Sequence, residues 1–397
     1  MINYSPSIFY AIVMLLPASI SLIVINNDIS VNYFYLALLV TLILFVIDVI
    51  SSKISGNSEI ELSRLLDNKL LFYISLLFLF VSLILNIYIH DGIPILDFIE
   101  NKDYANTRAF HAKSSNLFIY ASYAINYCDY LFIPYVLYYA LNNKRYALLV
   151  ILSPVFLLSY IFFLSKLPIT FCLFVVMGVY FSCKYKFSLY KYILVVMLVM
   201  SAISLVNVLS VSGSGADKSN NYAVAGVYRS VDQDGLYGFL NNKIYRVFWV
   251  PSEVSALWLD YNKSNGEEVG AGFTVNYPNI IGKKYYVSRY PDKYTNDLSA
   301  YASFEVDALV RYGYVGMFLS FAVWGSARFI MAYWVKQYGN NLINSYFLVG
   351  SAMMLPQASI QALMLSNGFI FIILAPYLIS LLNKNLGKRY LPFSKSL

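Results

Sequence analysis

The sequence predicts an all-α polytopic integral membrane protein with about ten transmembrane helices and one large outward loop. Of its 397 residues, 59% are hydrophobic and only 12% are charged, against roughly 25% charged residues in a soluble domain. Apolar runs that approach the roughly 20 residues needed to cross a bilayer recur along the chain. One stretch, 211–311, contains no such run and carries ten Lys or Arg and eleven Asp or Glu. The sequence therefore predicts helices in a membrane around one polar loop.

The predicted spans follow the apolar runs in order. They lie near 7–25, 31–50, 69–90, 117–140, 146–164, 168–183, 189–210, 312–334, 342–363 and 367–382. We interpret the first run as a retained helix and not a cleaved signal peptide, because no basic segment precedes it and many spans follow. The chain thus divides into an N-terminal bundle of about seven helices at 1–210, the loop at 211–311, and C-terminal helices with a tail at 312–397.

The short links differ in charge, and the difference predicts their orientation. Lys and Arg collect in the links at 51–68, 141–145, 184–191 and 335–341 and in the tail, whereas the links at 26–30 and 364–366 hold none. Because Lys and Arg favour the cytoplasmic side, both termini are expected in the cytoplasm. The large loop and the link at 91–116 then face outward. In a Gram-negative cell, that side is the periplasm.

Several classes of enzyme are excluded by missing motifs. The chain has no phosphate-binding G-x-x-x-x-G-K-[ST], no H-E-x-x-H zinc motif and no G-x-S-x-G nucleophile elbow. Its two histidines are His90 and His111, and none of its three cysteines lies in the large loop. We predict no metal and no cofactor.

The first candidate cluster is the segment KIYRVFWVPSEVSALWLDYN at 243–262. Pro251 can open a helix, and Glu253 would then lie in the first turn, where the helix dipole favours a carboxylate. If helical geometry extends back through the preceding turn, Arg246, Trp249 and Glu253 share one face. An interfacial helix with a capping glutamate and a snorkelling arginine fits the same residues, so both interpretations stay open.

The second candidate cluster closes the loop. Asp307 and Arg311 have i,i+4 spacing and share a helix face as the chain enters the span at 312–334. A charged pair at the start of a membrane helix is costly unless it faces protein or water, which makes it a functional candidate. A plain intrahelical salt bridge that orients the helix is the alternative.

Further outward cations lie in three segments. Arg289 stands in GKKYYVSRYPDKY, Lys166 in the four-residue break SKLP, and Arg108 and His111 in the link at 91–116. Tyrosines among basic residues can bind single-stranded nucleic acid, but these segments lie outside the cytoplasm and the same side chains suit sugars and phosphates. We therefore expect a glycan or phosphate ligand and no nucleic acid.

The segment GIPILDF followed by Arg108, the SKLP break, VPSEVSALWLDY and the start of the late span at 307–316 together resemble the Wzy-type O-antigen polymerases. The resemblance implies a GT-C-like fold. It also implies metal-independent, inverting transfer of an undecaprenyl-diphosphate-linked glycan onto a second lipid-linked repeat in the outer leaflet. The expected partners are this donor, this acceptor and the bilayer, and a chain-length regulator is left open.

The resemblance and the chemistry together suggest roles for the candidate residues. A diphosphate leaving group needs cations where its charge grows, and an acceptor hydroxyl needs a group that takes its proton. Glu253 is the first candidate for the base, followed by Asp307 and His111, and Trp249 is expected to contact substrate. The candidate cations are Arg246, Arg289, Arg311, Lys166 and Arg108.

Three other functions predict sequence features that differ from those of this chain. An O-antigen ligase has similar architecture, but the ligases carry a histidine in the large loop and this chain has none after His111. A lipid-linked oligosaccharide flippase would show more spans and shorter links. A membrane scaffold or chain-length regulator would have few spans around a coiled-coil domain, and the heptad pattern of a coiled coil is absent.

Overall fold

The computed structural model is mostly helical over the residues that it describes. These are 6–25, 28–55, 69–89, 123–145, 147–148, 222–224, 227–229, 250–264, 270, 276–282, 300–338, 341–374 and 377. Two helices, Asp28–Ser55 and Phe304–Lys336, are long and apolar enough to cross a membrane. The predicted spans at 168–183 and 189–210, and all of the span at 146–164 except 147–148, lie outside the described residues.

The described residues of the N-terminal half form helices at the first four predicted spans. In chain order they are α1 (Pro6–Tyr10), the π-helical turn Ala11–Leu15, α2 (Leu16–Ile25), α3 (Asp28–Ser55), α4 (Lys69–Ile89), the π-helical turn Cys128–Phe132 and α5 (Ile133–Asn142). Helix α3 has Asp28 in its first turn and Lys53 in its last. These charges complement the helix dipole at both ends.

The polar loop contains a short hairpin and a helix. The antiparallel strands β1 (Tyr222–Val224) and β2 (Val227–Arg229) are three residues long each, which is a small departure from the predicted all-α class. Helix α6 (Val250–Ser264) begins at the predicted place, with Glu253 in its first turn. The prediction that Pro251 opens a helix here is confirmed, because a proline near the first helical position needs no hydrogen-bond partner for its nitrogen.

Helix α7 (Phe304–Tyr338) begins before the predicted span and is kinked. Gly313 has φ 71° and ψ −166° inside the helix, a combination that is essentially restricted to glycine. The kink separates a short first part, 304–312, from a long second part, 314–338. Asp307 and Arg311 lie on the short first part.

The predicted run at 342–363 is not one helix, and that expectation is corrected here. Helix α8 (Asn341–Met354) ends early, followed by the 3-10 turn Leu355–Gln357 and by Ala358 in an extended conformation. Pro356 explains the break, because it lacks an N–H group and its ring clashes with the preceding turn of a continuing helix. The π-helical turn Ala362–Ser366 follows.

Among the described elements, α3 and α7 make the most extensive contact, and α1, α2 and α6 also pack against α3. At one end, Lys263 on α6 contacts Asp28 at the start of α3, and α6 also packs against α7. At the other end, Asp48 on α3 contacts Arg328 on the second part of α7. Helices α3 and α7 therefore run in the same direction, with α6 at the end where both begin.

Candidate functional site

The candidate site lies where α6 meets the short first part of α7, with α1 and α3 behind them. It joins two of the predicted clusters, because α6 carries Glu253 and the first part of α7 carries Asp307 and Arg311. The first turn of α7 carries two carboxylates, Glu305 and Asp307. The partial positive charge at the N-terminus of the helix stabilises both.

Asp307 and Arg311 form the predicted intrahelical pair. The Arg311 Nε atom donates a hydrogen bond of 2.9 Å to Asp307 Oδ1. The Asp307 side chain keeps 11% of its surface exposed and the Arg311 side chain keeps 22%. Within the described part of the chain, its Nη groups make no hydrogen bond or ion pair, and they remain as donors for a ligand.

The aromatic ring of Trp258 on α6 supports the Arg311 guanidinium group. Arg311 Cζ lies 5.6 Å from the centre of the indole ring, a distance at which a cation is attracted to the ring face. The indole is fully buried, and its Nε1 donates a hydrogen bond of 3.0 Å to the Ala300 carbonyl. Tyr277 stacks on the same indole at 5.1 Å between ring centres. The guanidinium group thus rests on a rigid surface.

The kink at Gly313 brings a second glycine against the site. The Gly270 N–H donates a hydrogen bond of 3.2 Å to the Val310 carbonyl, just before the kink. Gly270 has a positive φ of 103°, and a Cβ atom there would lie 3.1 Å from the Gly313 nitrogen. The two backbones approach this closely because neither residue carries a side chain.

Glu305, which the sequence analysis did not select, is the centre of a buried polar cluster. Its Oε1 atom accepts hydrogen bonds from the Tyr10 hydroxyl on α1 and from the Ser303 hydroxyl. Glu305 and Ser303 are fully buried, and Tyr10 is nearly so. Within the described residues, Glu305 Oε2 and the Tyr33 hydroxyl have no hydrogen-bond partner, and such groups are uncommon in protein interiors.

Glu253 is buried in the first turn of α6, but it points away from the Arg311 contact. Trp258 follows five residues later, and at 100° per residue the two side chains differ in direction by about 140°. Helix geometry therefore does not place Glu253 beside the Asp307–Arg311 pair. Its role as the base remains a prediction.

The structure brings Asp307 and Arg311 together and leaves the other proposed contacts untested. Six of the predicted site residues lie outside the described residues: Arg246, Trp249, Arg289, Lys166, Arg108 and His111. Among the described residues, no group of three or more His, Cys, Asp or Glu side chains is arranged to hold a metal ion.

Sequence reasoning also missed a buried ion pair between α3 and α7. Arg328 Nη2 lies 3.1 Å from Asp48 Oδ1, and the Ser7 N–H donates 3.0 Å to the other carboxylate oxygen. A signal was present, because Asp48 and Arg328 are the lone charged residues of the predicted spans at 31–50 and 312–334. Charged side chains inside membrane spans pair with one another.

The arrangement as a whole offers a partly exposed cation, an adjacent carboxylate and a stiff aromatic support at the start of a long apolar helix. Such a site can bind an anionic group and stabilise negative charge that develops on it. No protein-family model, curated protein or solved structure gives a significant match to this chain.

Proposed function

We propose that this chain is a glycosyltransferase that polymerises undecaprenyl-diphosphate-linked repeat units into surface polysaccharide at the outer leaflet of the bacterial inner membrane. One observation carries the proposal. The Arg311 guanidinium group is held by Asp307 and Trp258, partly exposed, at the start of a helix that is long and apolar enough to cross a membrane. A planar guanidinium group suits bidentate contact with a phosphate group at the bilayer surface.

The proposed membrane arrangement has about ten spans, and the surfaces of α3 and α7 support it. Both helices expose large apolar side chains along one side, which would be costly in water and is expected against lipid tails. On α3 these are Tyr35, Leu39, Leu42, Phe45, Val46, Val49 and Ile50, and on α7 they are Tyr314, Val315, Phe318, Leu319, Val323, Ile330 and Tyr333.

The direction of the two helices is consistent with the proposed topology. If the N-terminus is cytoplasmic, the second span and the span after the large loop both run from outside to inside. Helices α3 and α7 run in the same direction, and their starting ends lie together at α6. The proposal therefore places α6, Arg311 and Lys263 on the periplasmic side, where lipid-linked repeats would be joined.

The reaction that we propose needs no metal ion. An acceptor hydroxyl oxygen attacks the anomeric carbon of the donor glycan while the bond from that carbon to the diphosphate oxygen breaks, so the configuration inverts. Glu253 or Asp307 takes the hydroxyl proton. The electron pair of the broken bond leaves on undecaprenyl diphosphate, whose growing charge Arg311 stabilises. The outward cations Arg108, Lys166, Arg246 and Arg289 would contribute in the same way.

A deletion strain tests the proposal directly. Its lipopolysaccharide should show a single repeat on the core, and the wild-type gene should restore the ladder of longer chains. Arg311→Lys should restore few or no longer chains, because lysine keeps the charge but loses the fork of donors. A deletion strain with no repeat on the core would instead favour a flippase or a ligase.

Arg145→Lys is the matched control. Arg145 is exposed in a link predicted to be cytoplasmic, and its Cζ lies 5.7 Å from the Tyr139 ring centre. Arg145→Lys also replaces an arginine that lies over an aromatic ring, but away from the candidate site, so this variant should restore the full ladder. Equal ladders from both variants, at equal protein levels, would contradict the role of Arg311.

A further inference from the structure

A single carboxylate oxygen, Glu305 Oε1, accepts hydrogen bonds from α1 and from the segment just before α7, and that segment is hydrogen-bonded to α6. We infer that Glu305 is a positioning residue for the Arg311 guanidinium group, with the Tyr10 hydroxyl as the contact from the N-terminal helix. This inference rests on the proposed function, since it concerns the reaction that Arg311 would assist.

The hydrogen bonds of the cluster have a consistent direction. The Tyr10 and Ser303 hydroxyls both donate to Glu305 Oε1. The Ser255 hydroxyl donates to Ser303 Oγ over 3.1 Å, and the Ser303 N–H donates back to Ser255 Oγ over 3.0 Å. Because the Ser303 proton is directed to Glu305, its lone pairs face Ser255 on α6. The carboxylate therefore orients the serine pair that joins α6 to the start of α7.

Two contacts, one helical turn apart, hold α6 against the segment before α7. One is the Ser255–Ser303 pair, and the other is the hydrogen bond from Trp258 to the Ala300 carbonyl. Ser255 and Trp258 are three residues apart, as are Ala300 and Ser303. The first contact thus fixes the rotation of α6 about its axis, and that rotation sets where the indole lies beneath Arg311.

Tyr10 adds a support from outside the loop. Its ring packs edge-on against Phe304 at 6.4 Å between centres, while its hydroxyl reaches the carboxylate on the next residue. The first turn of α7 is therefore held by α1 on one side and by α6 on the other. Loss of Glu305 would remove the acceptor of both the Tyr10 and the Ser303 hydroxyls. It would leave Asp307 and Arg311 chemically intact.

The test uses purified full-length protein in nanodiscs, with lipid-linked repeat units extracted from a strain that lacks the gene. Glu305→Ala should lower kcat by about 100-fold, the effect of a misplacement of about 1 Å, with KM within about threefold of wild type. Tyr10→Phe, which loses one donor, should lower kcat on the order of 10-fold. Glu305→Gln keeps an acceptor oxygen and should lose less activity than Glu305→Ala.

Hydrogen exchange supplies a measurement that does not depend on activity. In Glu305→Ala and Tyr10→Phe, amides at 250–264 and 300–312 should exchange faster. Tyr346→Phe is the control, because it also removes a buried tyrosine hydrogen bond, from Tyr346 on α8 to the Tyr130 carbonyl, which involves neither α6 nor the first part of α7. It should change neither kcat nor exchange at those amides.

The outcomes separate this inference from the proposed function. Inactive wild-type protein would refute the function, and the inference with it. Active wild type with an unchanged kcat in Tyr10→Phe and Glu305→Ala would refute the inference alone, as would an equal loss in Tyr346→Phe. If Glu305→Ala fails to fold, Tyr10→Phe, which keeps the ring, decides.

Discussion

Two aspartate–arginine pairs involve helix α7, one in its short first part and one in its long second part, and they are built differently. Asp307 and Arg311 lie on the same helix one turn apart, with side chains 11% and 22% exposed. Asp48 and Arg328 come from different helices, 280 residues apart in the chain, with side chains 10% and 6% exposed. The buried pair also receives the Ser7 N–H.

The contacts of each pair indicate what it does. Both carboxylate oxygens of Asp48 are used inside the protein, so the charge of Arg328 is neutralised between α3 and α7. Arg311 shares only its Nε with Asp307 and rests on Trp258, so it keeps donors for a ligand. A buried interhelical pair holds the fold, whereas a partly exposed local pair can serve chemistry.

The largest expected effect comes from the same substitution at both pairs. Asp48→Asn should lower the free energy of unfolding by roughly 3–5 kcal/mol, because it leaves the Arg328 charge buried without a counter-ion. Asp307→Asn should lower it by roughly 1 kcal/mol, the upper end of the range for exposed pairs, because Asp307 is buried while Arg311 is partly exposed. Thermal unfolding of purified protein, followed by size-exclusion chromatography, measures both.

A double replacement checks the cause of the Asp48 effect. Asp48→Leu with Arg328→Met removes both charges and fills similar volume, so stability should return to within about 1 kcal/mol of wild type. Equal losses for Asp48→Asn and Asp307→Asn would remove the distinction between the two pairs.

The kink at Gly313 lies between Arg311 and Arg328 on α7. Its removal should have the next largest effect on stability. Gly313→Ala should cost roughly 1–3 kcal/mol, because alanine is strained at φ 71° and ψ −166°. Gly325→Ala, on the same helix, is the control. A Cβ there would meet Ile47 at an ordinary 3.5 Å, so stability should hold or rise slightly, since alanine favours a helix. Equal stability of the two variants would show that the kink is not required.

The difference between the pairs also explains what the sequence could predict. Asp307 and Arg311 were paired correctly because i,i+4 neighbours meet on any helix. Pro251 marked the start of α6 for an equally local reason. Glu305 also accepts a hydrogen bond from Tyr10, 295 residues away, and no local rule connects these two residues. Only packing of α1 against the start of α7 does so.

Two local signals were available and were not used. Pro356 lies in the middle of the run at 342–363, and a proline ends or bends a helix, so the break after Met354 was predictable. The lone charges Asp48 and Arg328 in two apolar runs also pointed to a pair, because an unpaired charge in a membrane span is costly. This rule alone would have predicted that Asp48 pairs with Arg328. The relative position of α3 and α7 along their axes could be read only from the structure.

Glu253 gives a third effect, on activity more than on stability. If it is the base, Glu253→Gln should abolish polymer while the protein level stays normal, because glutamine cannot accept the proton. If it only completes the first turn of α6, the loss is roughly 0.3–1 kcal/mol of stability and the chain length stays normal. The lipopolysaccharide ladder and an immunoblot of the same cells distinguish the two. A normal ladder would move the role to Asp307, tested in turn as Asp307→Asn.

The smallest effect is expected at a third ion pair, which is the most exposed of the three compared here. Lys263 Nζ and Asp28 Oδ2 lie 3.5 Å apart with side chains 59% and 88% exposed. Solvent and salt screen such a pair, and ordering two flexible side chains offsets most of its attraction. Lys263→Ala should therefore change the free energy of unfolding by less than about 0.5 kcal/mol, and unfolding at low and high salt should show the same small difference.

Asp28→Asn is the partner control, and it should match Lys263→Ala. A loss above about 1 kcal/mol in both variants, falling with added salt, would mean that the contact between α6 and α3 contributes more than a surface pair does. Side-chain exposure would then fail to rank the three pairs by their contribution to the free energy of unfolding. Whether a pair joins different segments of the chain would become the better guide. Asp307–Arg311, which joins one segment to itself, would then be the weakest of the three pairs for stability.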